Sequence, residues 1–175
     1  GAVTSYADTF RFLNNIVYPV GGDWGKPPAL VFINGAAMTG GGSDIPDGNA
    51  RDVTVNYNDI SPETDDALWP SGANALRIDV SKAAGTPSVI VDSNHLHNAS
   101  HYSTALAAGL GIITSNSAAI ISVTNNEIDN NGSDGMWVGA NSNFATLTIT
   151  NNNIHNNAAV GVNVGTGVSG NIQIH

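Results

Sequence analysis

The stretch Ile121-Ser-Val123-Thr-Asn-Asn126-Glu-Ile128-Asp-Asn-Asn131-Gly is the most informative part of this chain. Its apolar residues alternate with polar ones, which is the two-residue period of a strand with one buried face. The alternation breaks at a pair of asparagines, a residue type that favours tight turns. The stretch therefore predicts a strand, a turn at asparagine and a further apolar position beyond the turn.

The same pattern recurs along the chain as apolar, any, apolar, two of any, Asn, any, apolar. The first apolar residue of each copy is Val53, Val89, Ile121 or Leu147, with a looser copy beginning at Phe10 and the start of a sixth at Ile172. A second short apolar stretch follows each turn, at 67–69, 111–113, 135–138 and 161–164. A strand, a turn, a second strand and a variable loop, repeated without any long helical period, predict a parallel β-solenoid.

One asparagine of every copy follows the strand at the same spacing. Equivalent residues of successive coils stack about 4.8 Å apart, the distance between neighbouring strands of a sheet. Each amide can then donate to one neighbour and accept from the other, while asparagine tolerates the left-handed backbone expected at the turn. The predicted ladder consists of Asn58, Asn94, Asn126 and Asn152.

The repeats around Ile128 and Ile154, Asn-Asn-Glu-Ile-Asp-Asn-Asn and Asn-Asn-Asn-Ile-His-Asn-Asn, resemble those of the right-handed parallel β-helix superfamily of pectate-lyase-like proteins. The resemblance covers nearly the whole chain and implies an all-β, right-handed parallel β-helix of five to six coils. It implies no specific enzyme family, because the superfamily holds polysaccharide lyases, glycoside hydrolases, alginate epimerases, phage tailspikes and surface adhesins. We expect 1–175 to be one β-helix domain or segment, with long loops at 18–29 and 38–52 and a short helix at 102–109.

Composition restricts the partners of the chain. It has 14 Asp and Glu against 5 Lys and Arg, a formal net charge of −9, and no Cys. Nucleic acid and anionic membranes are poor partners for so few cations, and disulfides are excluded. The longest apolar stretch, 105–113, is too short for membrane insertion. An acidic composition rich in Asn, Ser, Thr and Gly and lacking Cys is typical of an extracellular or cell-surface protein.

Two columns of polar residues are predicted on the outer face beside the ladder. One contains Asp59, His95, Glu127 and Asn153, and the other contains Ser61, His97, Asp129 and His155. Asp59 and Glu127 should lie two coils and about 10 Å apart, near the carboxylate separation of an inverting glycosidase. Such outward positions also fill with soluble residues that have no catalytic role. This second interpretation is favoured, and no metal is assigned to the columns.

Two further motifs suggest polysaccharide chemistry. Asp65 and Asp66 resemble, over two residues, the acidic motif of polygalacturonase-type hydrolases, whose other motifs are not found. Asp66 and its aligned counterpart Asp134 are favoured as turn residues. Trp69 and Trp137 align, with Ile113 between them in the intervening coil, and are predicted to point outward about 10 Å apart, where they would stack on alternate sugars of a glycan. Packing beneath the variable loop is an equal alternative for both tryptophans.

Calcium is considered for the Gly-rich loop that bears Asp44, Asp47 and Asp52, because closely spaced oxygens suit a hard cation. The loop lacks the spacing of known calcium motifs, so a solvated acidic loop is favoured and no cofactor is expected. Asn98 and Asn131 begin glycosylation sequons.

These observations favour a structural or adhesive module over an enzyme. No Lys or Arg follows residue 82, so a cationic groove for a uronate polymer is missing, and no complete catalytic motif is present. No polar cap is recognised at either end, and we expect the strand at 172–174 to pair with residues 10–12 of another copy. The predicted function is an extracellular structural or adhesive β-helix that self-associates into a filament and contacts glycans. The alternative is a polysaccharide-active enzyme, namely a glycoside hydrolase, lyase or epimerase, or a fragment of one.

Overall fold

A computed structural model describes residues 9–17, 29–34, 52–61, 74–81, 83, 85–99 and 108–175. These residues form sixteen strands in three parallel sheets, and they contain no helix. The first sheet contains β1 (Thr9–Leu13), β4 (Asp52–Asn56), β7 (Ser88–Asp92), β10 (Ile120–Thr124), β13 (Asn143–Thr150) and β16 (Ser169–Ile174). The second contains β2 (Ile16–Val17), β5 (Asp59–Ile60), β8 (His95–His97), β11 (Glu127–Asp129) and β14 (Asn153–His155). The third contains β3 (Ala29–Asn34), β6 (Asn74–Asp79), β9 (Leu110–Ile113), β12 (Met136–Val138) and β15 (Val162–Val164).

The register of the first sheet confirms the predicted repeat. Its strands place Phe10, Val53, Val89, Ile121, Leu147 and Ile172 opposite one another in succession. Every one of these pairings is parallel, as expected when each strand is followed by a return path through the other two sheets. The described residues thus form five coils of a parallel β-helix and the first strand of a sixth.

Each coil has three strands where the sequence predicted two. The residues directly after the ladder asparagine, such as Asp59 and Ile60, form a separate short sheet instead of continuing the turn. In the second coil the third strand lies at Asn74–Asp79, later than the predicted 67–69. Several predicted features lie outside the described residues, namely 67–69, the two long loops except for Ala29 and Asp52, and residues 102–107 of the predicted helix. The last two residues of that predicted helix, Ala108 and Gly109, are described and are not helical.

The core is a stack of aliphatic side chains contributed by all three sheets. The first sheet supplies Val55, Val91 and Val123, each with no exposed surface, and Ile149, which is 2% exposed. The other two sheets add fully buried side chains from every inner coil, for example Ile128 and Met136. Burial of each such side chain contributes about 1.5–3 kcal/mol, so a coil gains most of its stability from its neighbours.

The predicted asparagine ladder is present. The Oδ1 of Asn94 accepts from the backbone N–H of Asn58 at 3.0 Å and from its Nδ2 at 2.8 Å. The same two bonds join the next coils, since Asn94 donates to Asn126 and Asn126 donates to Asn152. Asn15 extends the ladder by donating to Asn58. The column is buried within the inner coils, where each amide is held on both sides.

The left-handed backbone lies one residue earlier than predicted. The residues with positive φ are those that precede the ladder position, namely Asn14, Tyr57, Ser93, Asn125 and Asn151, with φ between 54° and 57°. The ladder asparagine therefore contributes hydrogen bonds, and the residue before it adopts the left-handed backbone conformation of the turn.

A second, shorter ladder was not predicted. Asn131 Oδ1 accepts from the Ala99 N–H, and Asn131 in turn donates to Asn157. The residue before each position of this second ladder also has a positive φ, namely Asn98, Asn130 and Asn156. The doubled Asn-Asn after Ile128 and Ile154 is the signal that could have revealed this ladder.

Candidate functional site

The outer face of the second sheet carries the candidate site. Ile60, Leu96 and Ile128 point into the core, so the residues on either side of them point outward. The register aligns Asp59, His95, Glu127 and Asn153 in one column, and His97, Asp129 and His155 in the next. Both predicted columns therefore exist, except that Ser61, predicted to face outward, has no exposed surface. The sheet places imidazoles and carboxylates side by side on its outer face.

The residues of the two columns pair diagonally. His97 Nε2 donates to Asp59 Oδ1 at 2.7 Å, and His95 Nε2 donates to Asp129 Oδ1 at 2.7 Å. Each bond links the first column to the second column one coil further on. Glu127 and His155 repeat the diagonal at 3.5 Å. Long side chains reach diagonal neighbours on a sheet, so the outer face forms a series of acid–imidazole pairs.

Asp59 faces two imidazoles at once. His95 and His97 are two residues apart on β8, and their rings stack with centroids 3.9 Å apart and planes inclined by 12°. His95 is the register partner of Asp59, and its Nδ1 lies 3.8 Å from Asp59 Oδ1. The stack fixes the edges of both rings beside one carboxylate oxygen.

The cluster is accessible from one side and supported on the other. The side chains of His95 and Asp59 are 37% and 36% exposed, whereas those of His97 and Asp129 are 16% and 10% exposed. Asn98 Nδ2 donates to His97 Nδ1 at 2.8 Å and contacts Ser61 Oγ at 3.2 Å. Asn130 Nδ2 donates to Asp129 Oδ2. His97 and Asp129, the two less exposed side chains, are thus each held by the amide of the asparagine that follows them in sequence.

The remaining sequence candidates divide into residues outside the described ranges and residues on the other sheets. Asp65, Asp66, Trp69, Asp44 and Asp47 lie outside the described residues. Asp52 is exposed at the start of β4, on the first sheet.

Trp137 projects outward from β12 and is half-buried, between the buried Met136 and Val138. Its partner in the preceding coil is Gly111, and the partner of Gly111 one coil earlier is Arg77, so the predicted alignment of Trp137 with Ile113 and with Trp69 is wrong. The prediction aligned Gly111 with Gly135. In the sheet, Gly109 aligns with Gly135 instead, and Leu110 N donates to Gly135 O.

One carboxylate outside the cluster has a perturbed pKa. Burial of Asp92 alone would raise its pKa, but hydrogen bonds from Thr124, Asn125 and Ser93 outweigh that effect and lower the pKa below its ordinary value. The shortest of these bonds, from Thr124 Oγ1, is 2.7 Å. Asp92 therefore ties two coils together at the corner of the first sheet, which is a structural role.

Within the described residues no helix is long and apolar enough to cross a membrane.

Comparison with known protein families supports the fold. No curated protein and no solved structure matched the chain. A family described as the right-handed β-helix region matches residues 81–175, which is more than half of the 175 residues and includes β8, β11 and β14 of the candidate site. The chain therefore belongs to the right-handed β-helix family.

Proposed function

We propose that this β-helix is a structural module of an extracellular or cell-surface assembly, in which a second copy extends the coil stack head to tail. The observation that carries the proposal is the direction of the asparagine ladder. Each backbone N–H of the ladder donates to the Oδ1 of the next coil, as Asn126 N does to Asn152 Oδ1 at 2.9 Å. The ladder thus has a donor end and an acceptor end.

The two ends of the described ladder are complementary. Within the described residues, the Asn152 N–H has no ladder acceptor, and Asn15 Oδ1 receives no ladder donor. A second copy whose β1 pairs with the open edge of β16 would continue the first sheet with the same ladder direction. Because the joined surfaces are unlike, the contact is heterologous and propagates into a filament.

Apolar side chains at the two ends support the same arrangement. In the last complete coil Ile154 and Val162 are half-buried, whereas their partners one coil earlier, Ile128 and Met136, have no exposed surface. In the first coil Phe10, Phe12 and Val17 are half-buried against the core. Pairing of β1 of a second copy with β16 would cover part of both sets and add a row of strand hydrogen bonds.

The test uses the open edge of β16. His175 N donates to Ile149 O, so the N–H of Ile174 points away from β13 and toward the open edge. Ile174→Pro should remove this donor without breaking a bond inside the coil stack, and Ile174 is 57% exposed. The matched control is Ile120→Thr, since Ile120 is 49% exposed but lies on β10 in the middle of the first sheet.

Electron microscopy and sedimentation over a concentration series should show filaments for the unmodified chain and for Ile120→Thr, and monomers for Ile174→Pro. Monomers at every concentration for the unmodified chain would refute the proposal. Filaments that persist in Ile174→Pro would show that assembly uses another surface.

A second candidate function is action on a polysaccharide. The hydrogen-bonded pairs His95–Asp129 and His97–Asp59 favour it, because carboxylates and imidazoles within bonding distance are the usual groups for proton transfer. Release of reducing ends from a panel of neutral polysaccharides is the test. Activity should be lost in Asp129→Asn and kept in Asp52→Asn, whose side chain is exposed on another sheet. Absence of release from the whole panel would count against the enzyme.

A further inference from the structure

Three side chains from two neighbouring coils converge on one point of the second sheet. Asp59, His95 and His97 each offer one ligand atom, and these atoms lie within 4.8 Å of one another. Asp59 Oδ1 is 2.7 Å from His97 Nε2 and 3.8 Å from His95 Nδ1. Tetrahedral ligands about 2.1 Å from a metal lie about 3.4 Å from each other, and the two observed distances bracket that value.

We infer that Asp59, His95 and His97 form a binding site for a divalent metal ion of the zinc class. Sequence reasoning assigned no metal to these columns, because the diagonal approach of the side chains is a property of the folded sheet. The inference does not rest on head-to-tail assembly, since all three residues lie in the second and third coils.

The donor set selects the class of ion. Two imidazole nitrogens and one carboxylate oxygen suit zinc, copper and nickel, whereas calcium and magnesium prefer a shell made only of oxygens. The carboxylates of Asp59 and Asp129 also offset the charge of a divalent ion. Three protein ligands leave at least one position for water, and the exposure of His95 and Asp59 gives the ion a path from solvent.

The outer partner of His95 is already in place. Its Nε2–H donates to Asp129 Oδ1 at 2.7 Å, which fixes the proton on Nε2 and leaves the Nδ1 lone pair facing Asp59. Metal-binding histidines characteristically donate their second nitrogen to a carboxylate in this way. Asp129 is itself held by Asn130 and is only 10% exposed, so it serves as a positioning residue.

The outer partner of His97 can adapt to the metal-bound state. Coordination through Nε2 puts the ring proton on Nδ1, which then needs an acceptor. Asn98 lies 2.8 Å from Nδ1, and a half-turn of its amide presents Oδ1 in place of Nδ2. Ser61 Oγ, now 3.2 Å from the amide nitrogen, can donate to the same oxygen. Both ligating imidazoles therefore have a hydrogen-bonding partner.

The experiment measures zinc binding by calorimetry and by equilibrium dialysis with metal analysis. The unmodified chain should bind one zinc ion per chain, and an excess of calcium should not displace it. Asp59→Asn, His95→Ala and His97→Ala should each weaken binding by about 100-fold or more, and Asp129→Asn by about 10- to 100-fold. His155→Ala is the matched control, because His155 lies on the same face but pairs with Glu127. It should leave the affinity unchanged.

Circular dichroism of each variant without zinc checks that the coil stack is intact. A measurement that needs no variant is the electron paramagnetic resonance spectrum of the copper-loaded chain, which should show coupling to two nitrogens. Failure to bind zinc, displacement of zinc by calcium, or equal weakening by His155→Ala would overturn the inference. Repeating the titration on Ile174→Pro separates this result from that of assembly, because zinc should bind whether or not filaments form.

Discussion

Asn126 is the residue at which the ladder can be tested most directly. Its Oδ1 accepts from Asn94 N at 2.9 Å and from Asn94 Nδ2 at 3.0 Å. Its own Nδ2 donates to Val91 O and to Asn152 Oδ1, both at 2.9 Å. The side chain is 1% exposed, so water cannot replace these partners.

Asn126→Ala removes four hydrogen bonds but does not leave every partner unsatisfied. Asn94 Nδ2 keeps its bonds to backbone carbonyls, and Asn152 Oδ1 keeps the backbone N–H of residue 126. The Asn94 N–H, in contrast, loses the acceptor that the ladder gives it. One orphaned buried donor together with the lost bonds should lower the free energy of unfolding by about 2–4 kcal/mol.

Asn15→Ala is the matched control at the edge of the ladder. Its Nδ2 donates to Leu13 O and Asn58 Oδ1, and Asn58 Oδ1 would keep the backbone N–H of residue 15. No buried group is orphaned, so the loss should be below about 1 kcal/mol. Asn126→Asp keeps the shape but places an acceptor against Val91 O, and it should destabilise without opening a cavity.

Urea unfolding followed by circular dichroism measures these differences, and the Ile174→Pro background keeps assembly out of the comparison. The slope of the transition shows whether each variant still unfolds as one unit, since coils of a solenoid can separate. Equal losses for Asn126→Ala and Asn15→Ala would refute the reasoning, because the ladder would then contribute no more at its buried centre than at its edge.

Other predictions concern packing, charge and glycan contact. A Cβ at Gly135 would lie 2.7 Å from Gly161 O and also meet Ile154, so Gly135→Ala should cost about 1–3 kcal/mol in thermal or urea unfolding, whereas Gly161→Ala should be near neutral. Because the pKa of Asp92 is lower in the folded chain, its carboxylate stabilises the fold above the unfolded pKa and loses this effect as pH falls through the folded value. The stability difference between the unmodified chain and Asp92→Asn should therefore shrink on acidification. If the outward-facing Trp137 contacts a glycan, Trp137→Ala should abolish binding to an oligosaccharide identified on a glycan array while leaving the Tm nearly unchanged, and a large drop in Tm would instead assign Trp137 to packing.

The first sheet and its ladder could be predicted because their signals are local and periodic. Alternation around Val123 identifies a buried face, and the asparagine that follows at fixed spacing sets the register. The second sheet was missed as a separate element because strands such as Asp59–Ile60 hold only two residues, too few to show a period. The register of Trp137 was wrong because the third sheet has no repeated polar marker comparable to the ladder.

The columns of the candidate site could also be predicted, but their pairing could not. Sequence spacing places His95 beside Asp59 in the adjacent coil, whereas the shorter contacts run diagonally from Asp59 to His97 and from His95 to Asp129. The choice between direct and diagonal contact depends on sheet twist and side-chain rotamers, and neither is encoded in a residue pattern.

The ladder and the candidate site are physically linked. Asn58 directly precedes Asp59, and Asn94 directly precedes His95. The bonds from Asn58 to Asn94 Oδ1 therefore fix the height and register of the two coils whose side chains meet one residue later. A one-residue slip between these coils would turn every outward side chain into the core, so the site can exist only in this register. The buried amides thus supply the rigid support on which an exposed constellation of imidazole and carboxylate groups is held.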